Sequence, residues 1–380
     1  MAITRLHVQG YRCLRDVDLE LRPLTVLIGP NGSGKSSLLD VLLLLKQGLS
    51  GELGEALNER GGLGRLATYG REGPLAVELV CRHPLQPEAY SYSIGMQDTG
   101  YGAYEITAET LTHGDLEGEA RCLIDRRQEP LLGPLAFLLG GPQGESPALN
   151  PAELLVPQKR PESGYWFLRL FDELELYAQL DVSPRSLVRA QQTLWPVVLP
   201  GAQGADLAAA LYTTRTHFAD WYARLEEALR ATFPEFRKLD FPVVAAGEIT
   251  LAWHQQGLPK ALWPNQLSDG TVRYLWLCAI LLSPGLPPVL MIDEPETSLH
   301  PKLLMLLAGL LREAATRTQI IVATQSAQLI NWLKPEEVLV LDREDGEVTA
   351  RRGDTFDLEE WLKEYTLGEA WVTGLMGGTP

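Results

Sequence analysis

With 380 residues, 45% of them hydrophobic and 22% charged, the chain can bury a large core, and its length suggests about two or three structural lobes. Asp and Glu outnumber Lys and Arg 49 to 33, and the formal net charge of −16 argues against broad electrostatic binding of DNA or anionic membrane. The longest apolar runs, 41–45 and 275–282, fall well short of the roughly 20 residues that span a bilayer, and the N-terminus carries no apolar signal core, so a cytoplasmic chain without membrane contact is expected.

Residues 2–9 and 15–21 read as two short strands around Gly10-Tyr11-Arg12. The continuous apolar run Leu24–Ile28 is what a strand buried on both faces requires. It feeds into GPNGSGKSS at 29–37 and then an apolar helix from Leu38 to about Lys46. This is a full Walker A pattern, G-x-x-x-x-G-K-S, in its strand–loop–helix context rather than a chance glycine-rich turn. Gly29, Gly32 and Gly34 let the backbone wrap phosphates, and Asn31, Ser33 and Ser37 complete the nucleotide-binding loop. Lys35 supplies a point charge at the β/γ-phosphates, and Ser36 a hydroxyl for Mg²⁺. ATP and Mg²⁺ are therefore the expected cofactors.

Residues 48–70 are glycine-rich and poorly periodic. Alternating segments at 75–82, 90–96, 104–112 and 120–124 suggest an antiparallel sheet. A glutamine coupling phosphate and metal to the next lobe belongs somewhere in this half, and Gln86, Gln97 and Gln128 are the candidates. Prolines crowd 130–161, which reads as a linker or mobile loop. Helical spacing follows over 165–180 (Phe167, Leu170, Phe171, Leu174, Tyr177) and over 217–232 (Phe218, Trp221, Leu225, Leu229). These aromatics read as core in preference to base-stacking platforms. Residues 239–254 return to strands, with Ile249, Leu251 and Trp253 alternating against polar neighbours.

LSDGTVRY at 267–274 explains why motifs so far apart belong together. Ser268 is a good N-cap, Asp269-Gly270 is turn chemistry, and a largely apolar helix follows. Such a helix start favours a phosphate. A second phosphate-seeking helix start is surplus to a simple nucleotidase, but fits a chain whose Ser268 and Gly270 reach nucleotide held by another copy. Next, VLMIDEPETSLHP at 289–301 has the form of a Walker B strand. Asp293 is expected to hold Mg²⁺, and Glu294 to orient and deprotonate the attacking water. Glu296–His300 takes the D-loop position, with His300 either facing an opposite protomer or simply capping the next helix. After a helix over 302–315 and a strand over 320–323, Gln325 stands where a switch histidine is usual. It can hydrogen-bond a phosphate or water but cannot cycle a proton, so slow turnover is expected. The chain closes with a strand over 337–345 and an acidic helical tail over 358–365. Asp342, Glu344 and Asp345 read as a solvated strand exit rather than a nuclease cluster. The four cysteines, Cys13, Cys81, Cys122 and Cys278, match no disulfide or zinc spacing and read as reduced thiols.

With GYRCLRD (Arg12), GPNGSGKSS, LSDGT, MIDEPETSLHP and ATQS, the chain resembles AAA/ABC-type ATPases of the RecF–SMC–OLD group. GADLAAALY at 204–212 is similar to the "NLA" element of stand-alone members, with Asp206 where Asn is usual. The resemblance implies an α/β P-loop NTPase of ABC-ATPase type, with an antiparallel sheet in the N-terminal lobe and a helical insertion. The expected division is an N-terminal ATPase lobe over 1–130, a linker and insertion over 131–238, and a C-terminal lobe over 239–380. It also implies an ATP-binding role for Arg12 and an ATP-dependent homodimer. No long coiled-coil arms separate the motifs and no Toprim segment follows them, so the implied protein is a RecF-like head acting alone or with a separately encoded effector. Members of this kind look like parts of anti-phage systems paired with a Toprim-like nuclease. The alternative is a RecF-like DNA clamp in repair, gripping DNA through Arg121, Arg126, Arg127, Lys159 and Arg160. A transporter subunit is disfavoured by the missing LSGGQ and switch histidine.

Overall fold

The computed structural model describes residues 1–83, 88–115, 120–128, 150, 152–344 and 347–377. In chain order the strands are β1 (Ala2–Tyr11), β2 (Leu14–Glu20), β3 (Leu24–Ile28), β4 (Leu75–Arg82), β5 (Ala89–Gly100), β6 (Ala103–Gly114), β7 (Ala120–Asp125), β8 (Glu175–Tyr177) and β9 (Gln192–Thr193). They continue with β10 (Phe236–Asp240), β11 (Val243–Ala245), β12 (Glu248–Ile249), β13 (Ala252–Gln255), β14 (Val289–Asp293), β15 (Gln319–Ala323), β16 (Val338–Glu344) and β17 (Glu347–Arg352).

The apolar runs of β3, β14 and β15 bury both faces, because they build a middle layer. The sheet runs β17-β16-β3-β15-β14-β8, parallel except for the β16–β17 hairpin. Successive residues point to opposite sides. Val26, Ile28, Leu290, Ile292, Ile320 and Val322 enter one core, packed under the helices Leu207–His217, Ala219–Thr232, Asp269–Leu281 and Pro301–Ala315. Leu27, Val289, Met291, Ile321 and Ala323 enter the other. That second core is closed by the helix Lys35–Leu49 and by an antiparallel sheet, β2-β1-β4-β5-β6-β7. Gln319 stitches the two sheets, its Oε1 accepting from Ile3 N at 2.8 Å and its Nε2 donating to Ile3 O at 2.7 Å. The architecture is the α/β ABC-type head expected.

Three local expectations change. The helix starting at Tyr165 ends at Asp172, and 175–177 pairs in parallel with β14 as the edge strand of the middle sheet. Alternation in ELELY allowed either state, and the free edge of β14 decided it. Residues 48–70 hold two short helices, Leu53–Glu59 and Leu63–Leu66. The tail's α-helix is Leu367–Val372, capped by Thr366 and Glu369, while 358–365 contributes only a 3₁₀ turn at Trp361–Lys363. Most of the proline-rich stretch, with Gln86 and Asp345, lies outside the described residues, as does the side chain of Gln128. Gln97 sits on β5 opposite Glu105. No helix among the described residues is long and apolar enough to cross a membrane.

Candidate active site

β3, β15 and β14 are neighbours in the middle sheet, so the segments leaving their carboxyl ends converge at one edge. This is where open parallel sheets place ligands. The first is the glycine-rich loop. Gly34 has φ 100° at the N-cap of Lys35–Leu49, with no side-chain cap and no acidic residue in the first turn, so the helix N–H groups face no competing carboxylate of their own. A side chain at Gly34 would meet Leu14 Cδ2 at 2.7 Å, and one at Gly29 the carbonyl of Leu341 at 2.1 Å. Lys35, largely buried, donates to Gly29 O at 2.7 Å and Pro30 O at 2.9 Å. Burial lowers its pKa, with Asp293 and Glu294 opposing the shift. Asn31, Gly32 and Ser36 are exposed, whereas Ser33, Gly34 and Ser37 are enclosed.

The second segment leaves β14. Asp293 Oδ2 accepts from Ser36 Oγ at 3.4 Å, so the two expected Mg²⁺ ligands meet across the strand–loop gap. Burial first, and the charge of Glu294 second, raise the Asp293 pKa. One carboxylate and one hydroxyl are a sparse set for a cation, but suit Mg²⁺, which keeps waters and takes phosphate oxygens to complete its shell. Glu294 has φ 48°, a left-handed conformation that costs about 1–3 kcal/mol in a non-glycine residue. Its N–H donates to Ala323 O at 2.8 Å, pinning it to β15.

The third segment leaves β15. Gln325 Nε2 donates to Glu294 Oε1 at 3.0 Å, so the two residues expected to work on the attacking water are already in contact. The pairing of Glu296, placed at the D-loop position from the sequence, with Thr324 escaped the sequence reading. Glu296 accepts from Thr324 Oγ1 at 2.6 Å and Gln325 N at 3.3 Å, while its Oε2 is enclosed without a partner. Burial raises its pKa. An acidic residue following a Walker B strand and a threonine before Gln325 were the available signals, but nothing in the spacing joins them. His300 caps the helix Pro301–Ala315, its Nδ1 accepting from Lys302 N at 3.2 Å.

Arg12, also left-handed at φ 49°, reaches Asp40 on the P-loop helix at 2.6 Å. Asp40 is shared with Tyr11 Oη at 2.6 Å and Arg60 Nε at 2.9 Å, an arrangement the sequence did not suggest. Arg12 is thus tied to the helix that follows the phosphate loop. Arg126 is not a surface residue. It is buried against Glu109 at 3.4 Å, where burial penalises its charge, so it drops out of the proposed basic patch; Arg121, Arg127, Lys159 and Arg160 stay exposed.

Ser268 and Gly270 make no hydrogen bond to this cluster among the described residues. Ser268 Oγ caps its own helix through Thr271 N at 3.1 Å, and Gly270 packs against the carbonyl of Ser298, which a side chain would meet at 2.8 Å. Among the described residues neither hydrogen-bonds to the phosphate loop of its own chain, and Ser268 and Asp269 are exposed.

Phosphate loop, acidic strand exit and exposed signature turn, on this three-layer frame, define an ABC-type ATPase head. Similarities to known proteins agree. Residues 184–331 match the family model described as "AAA domain, putative AbiEii toxin, Type IV TA system", and residues 1–59 match "AAA ATPase domain". The DNA replication and repair protein RecF of Escherichia coli is 24% identical over 92% of this chain and 100% of its own length. The OLD nuclease of Thermus scotoductus is 49% identical over 43 residues, which span 11% of this chain and 8% of that protein. In fold, the chain resembles an Smc head bound to the C-winged helix domain of ScpA (TM-score 0.58, 12% identity, 96% and 100% coverage). A Pyrococcus furiosus Smc head with an extended coiled coil is also similar (TM-score 0.50, 13% identity, 95% and 98% coverage). Together these similarities support an ATPase of RecF–SMC–OLD type.

Proposed function

We propose that the chain binds and hydrolyses ATP as a head that closes around two nucleotides with a second copy of itself, and thereby controls a separately encoded effector, a nuclease or toxin, in anti-phage defence. The observation that carries the homodimer is that, among the described residues, no hydrogen bond joins the two phosphate-seeking helix starts. One converges with Ser36, Asp293, Glu294 and Gln325, and the other is exposed and shares no hydrogen bond with that cluster. Lys35 and the loop N–H groups hold the triphosphate. Ser36 and Asp293 would hold Mg²⁺, which neutralises phosphate charge when bound. Glu294 takes the proton of the attacking water, and Gln325 fixes the orientation of that carboxylate. Ser268 and Gly270 of one copy meet the nucleotide of the other. The effector reading is supported by similarity to the AbiEii-type model and, over a short stretch, to the OLD nuclease.

To test it, tagged Glu294→Gln protein is purified with ATP and Mg²⁺ from its native host, and co-purifying proteins are identified by mass spectrometry. A nuclease- or toxin-like protein in stoichiometric amount is expected. Recovery of dimer with bound DNA alone would overturn effector control and favour a second reading, a RecF-like DNA clamp, which similarity to RecF across 92% of the chain supports. In that reading Arg121→Glu with Arg127→Glu lowers duplex affinity and flattens its salt dependence.

A further inference from the structure

Asp269 poses a problem for a signature turn meant to receive a triphosphate. A carboxylate in the first turn stabilises its own helix, but it repels an arriving anion. The structure answers with Arg189, whose side chain is only 4% exposed. Its Nη2 donates to Asp269 Oδ1 at 2.6 Å, its Nη1 to Leu267 O at 2.9 Å and to Pro264 O, and its Nε to Val182 O at 2.8 Å. One guanidinium thus fixes the backbone entering the turn and neutralises the acid inside it. A buried arginine whose two terminal nitrogens both donate into a single exposed turn does more than fill a core.

The segment bearing Arg189 starts next to the catalytic strand. Tyr177 of β8 pairs with Ile292, the residue before Asp293. Three residues on, Leu180 O accepts from Arg273 Nη2 in the signature helix at 2.7 Å, and Val182 O accepts from Arg189. Beyond the arginine, Gln192 holds Gly204 O at 2.9 Å and Ala208 N at 2.6 Å, fixing the start of the helix Leu207–His217. Residues 180–192 therefore form a strap across the signature turn.

The geometry points to Arg189 as a positioning residue that holds Ser268–Gly270 for the nucleotide of the partner copy and screens the Asp269 charge from it. This rests on the homodimer reading above. Its effect must fall on the partner's site, not on the nucleotide pocket of the chain that carries it, and that asymmetry makes it testable.

Arg189→Ala alone is expected to lower kcat at least about ten-fold while leaving binding of a fluorescent ATP analogue within about two-fold. Glu294→Gln alone binds ATP without turning it over. Mixed in equal amounts, the two form hybrids in which the intact Glu294 of the Arg189→Ala chain faces an intact signature turn. Activity per Arg189→Ala chain should rise at least about three-fold. If mixed dimers form and no activity returns, or if Arg189→Ala turns over at the native rate, the assignment is wrong. If Glu294→Gln does not dimerise with ATP, the homodimer reading itself fails, and the assignment with it. Should Arg189→Ala not fold, Arg189→Lys carries the same test, since an ammonium keeps the charge but not the planar fork of donors.

Discussion

Two helix starts in this chain are suited to phosphate, and they are built differently. The P-loop helix begins at a left-handed glycine with no side-chain cap and no acid in its first turn, enclosed beside Lys35 and two carboxylates. The signature helix begins at Ser268, whose hydroxyl already satisfies Thr271 N, with Asp269 next in line and solvent around both. The first has no side chain capping its helix start, which leaves that end open to a ligand. The second supports its own helix and needs an outside arginine to keep its acid in check. One is a binding site in itself, and the other becomes part of a site only when a nucleotide is brought to it.

The sharpest way to separate them is Glu294→Gln. Loss of the general base should lower kcat by about 10²–10⁴-fold while ATP affinity holds, measured by phosphate release and by nucleotide titration. Ser268→Arg should follow, lowering kcat about 100-fold, again with nucleotide affinity of the single chain unchanged. By contrast, Lys35→Ala should weaken nucleotide binding itself. If Ser268→Arg also abolished binding by the isolated chain, the division of labour would be wrong.

Gln325→Ala removes the amide that holds Glu294, and a loss of about ten-fold in kcat is expected in single-turnover assays. The smallest effect concerns stability. Burial and Glu294 raise the folded pKa of Asp293, so the folded state holds its proton to higher pH than the unfolded chain does. Stability contributed at this position therefore falls as pH rises from the ordinary aspartate value of about 3.9 through the raised value, and the ionised group is a net cost at neutral pH. Asp293→Asn should accordingly raise the denaturation midpoint at pH 7, while abolishing Mg²⁺-dependent hydrolysis. Equal or lower stability would contradict the electrostatic account.

Much of this was legible in the sequence, and what was not shares a cause. The strand Leu24–Ile28, the loop behind it and the strand ending at Asp293 carry local signals: continuous apolar runs and glycines at set spacing. Glu294 and Gln325 were each legible at the end of a recognised strand, and the structure adds the contact between them. The edge strand β8 was hidden, since three residues acquire that state only by pairing with β14 more than a hundred positions away. Arg126 looked like surface charge because its partner, Glu109, lies on β6 and turns inward to accept from Leu155 N at 2.6 Å and Val156 N at 3.1 Å. Arg189 was invisible for the same reason: three of its four acceptors lie in the distant stretch 264–269, and the fourth is Val182 O.

The central claim is that the exposed signature turn serves nucleotide bound by another copy. Sedimentation equilibrium of purified Glu294→Gln, with and without saturating ATP and Mg²⁺, tests it most directly. The account predicts one chain mass without nucleotide and twice that mass with it, reverting to one when Ser268→Arg is added to the same protein. A single chain mass throughout, in protein shown by titration to hold ATP, would contradict it.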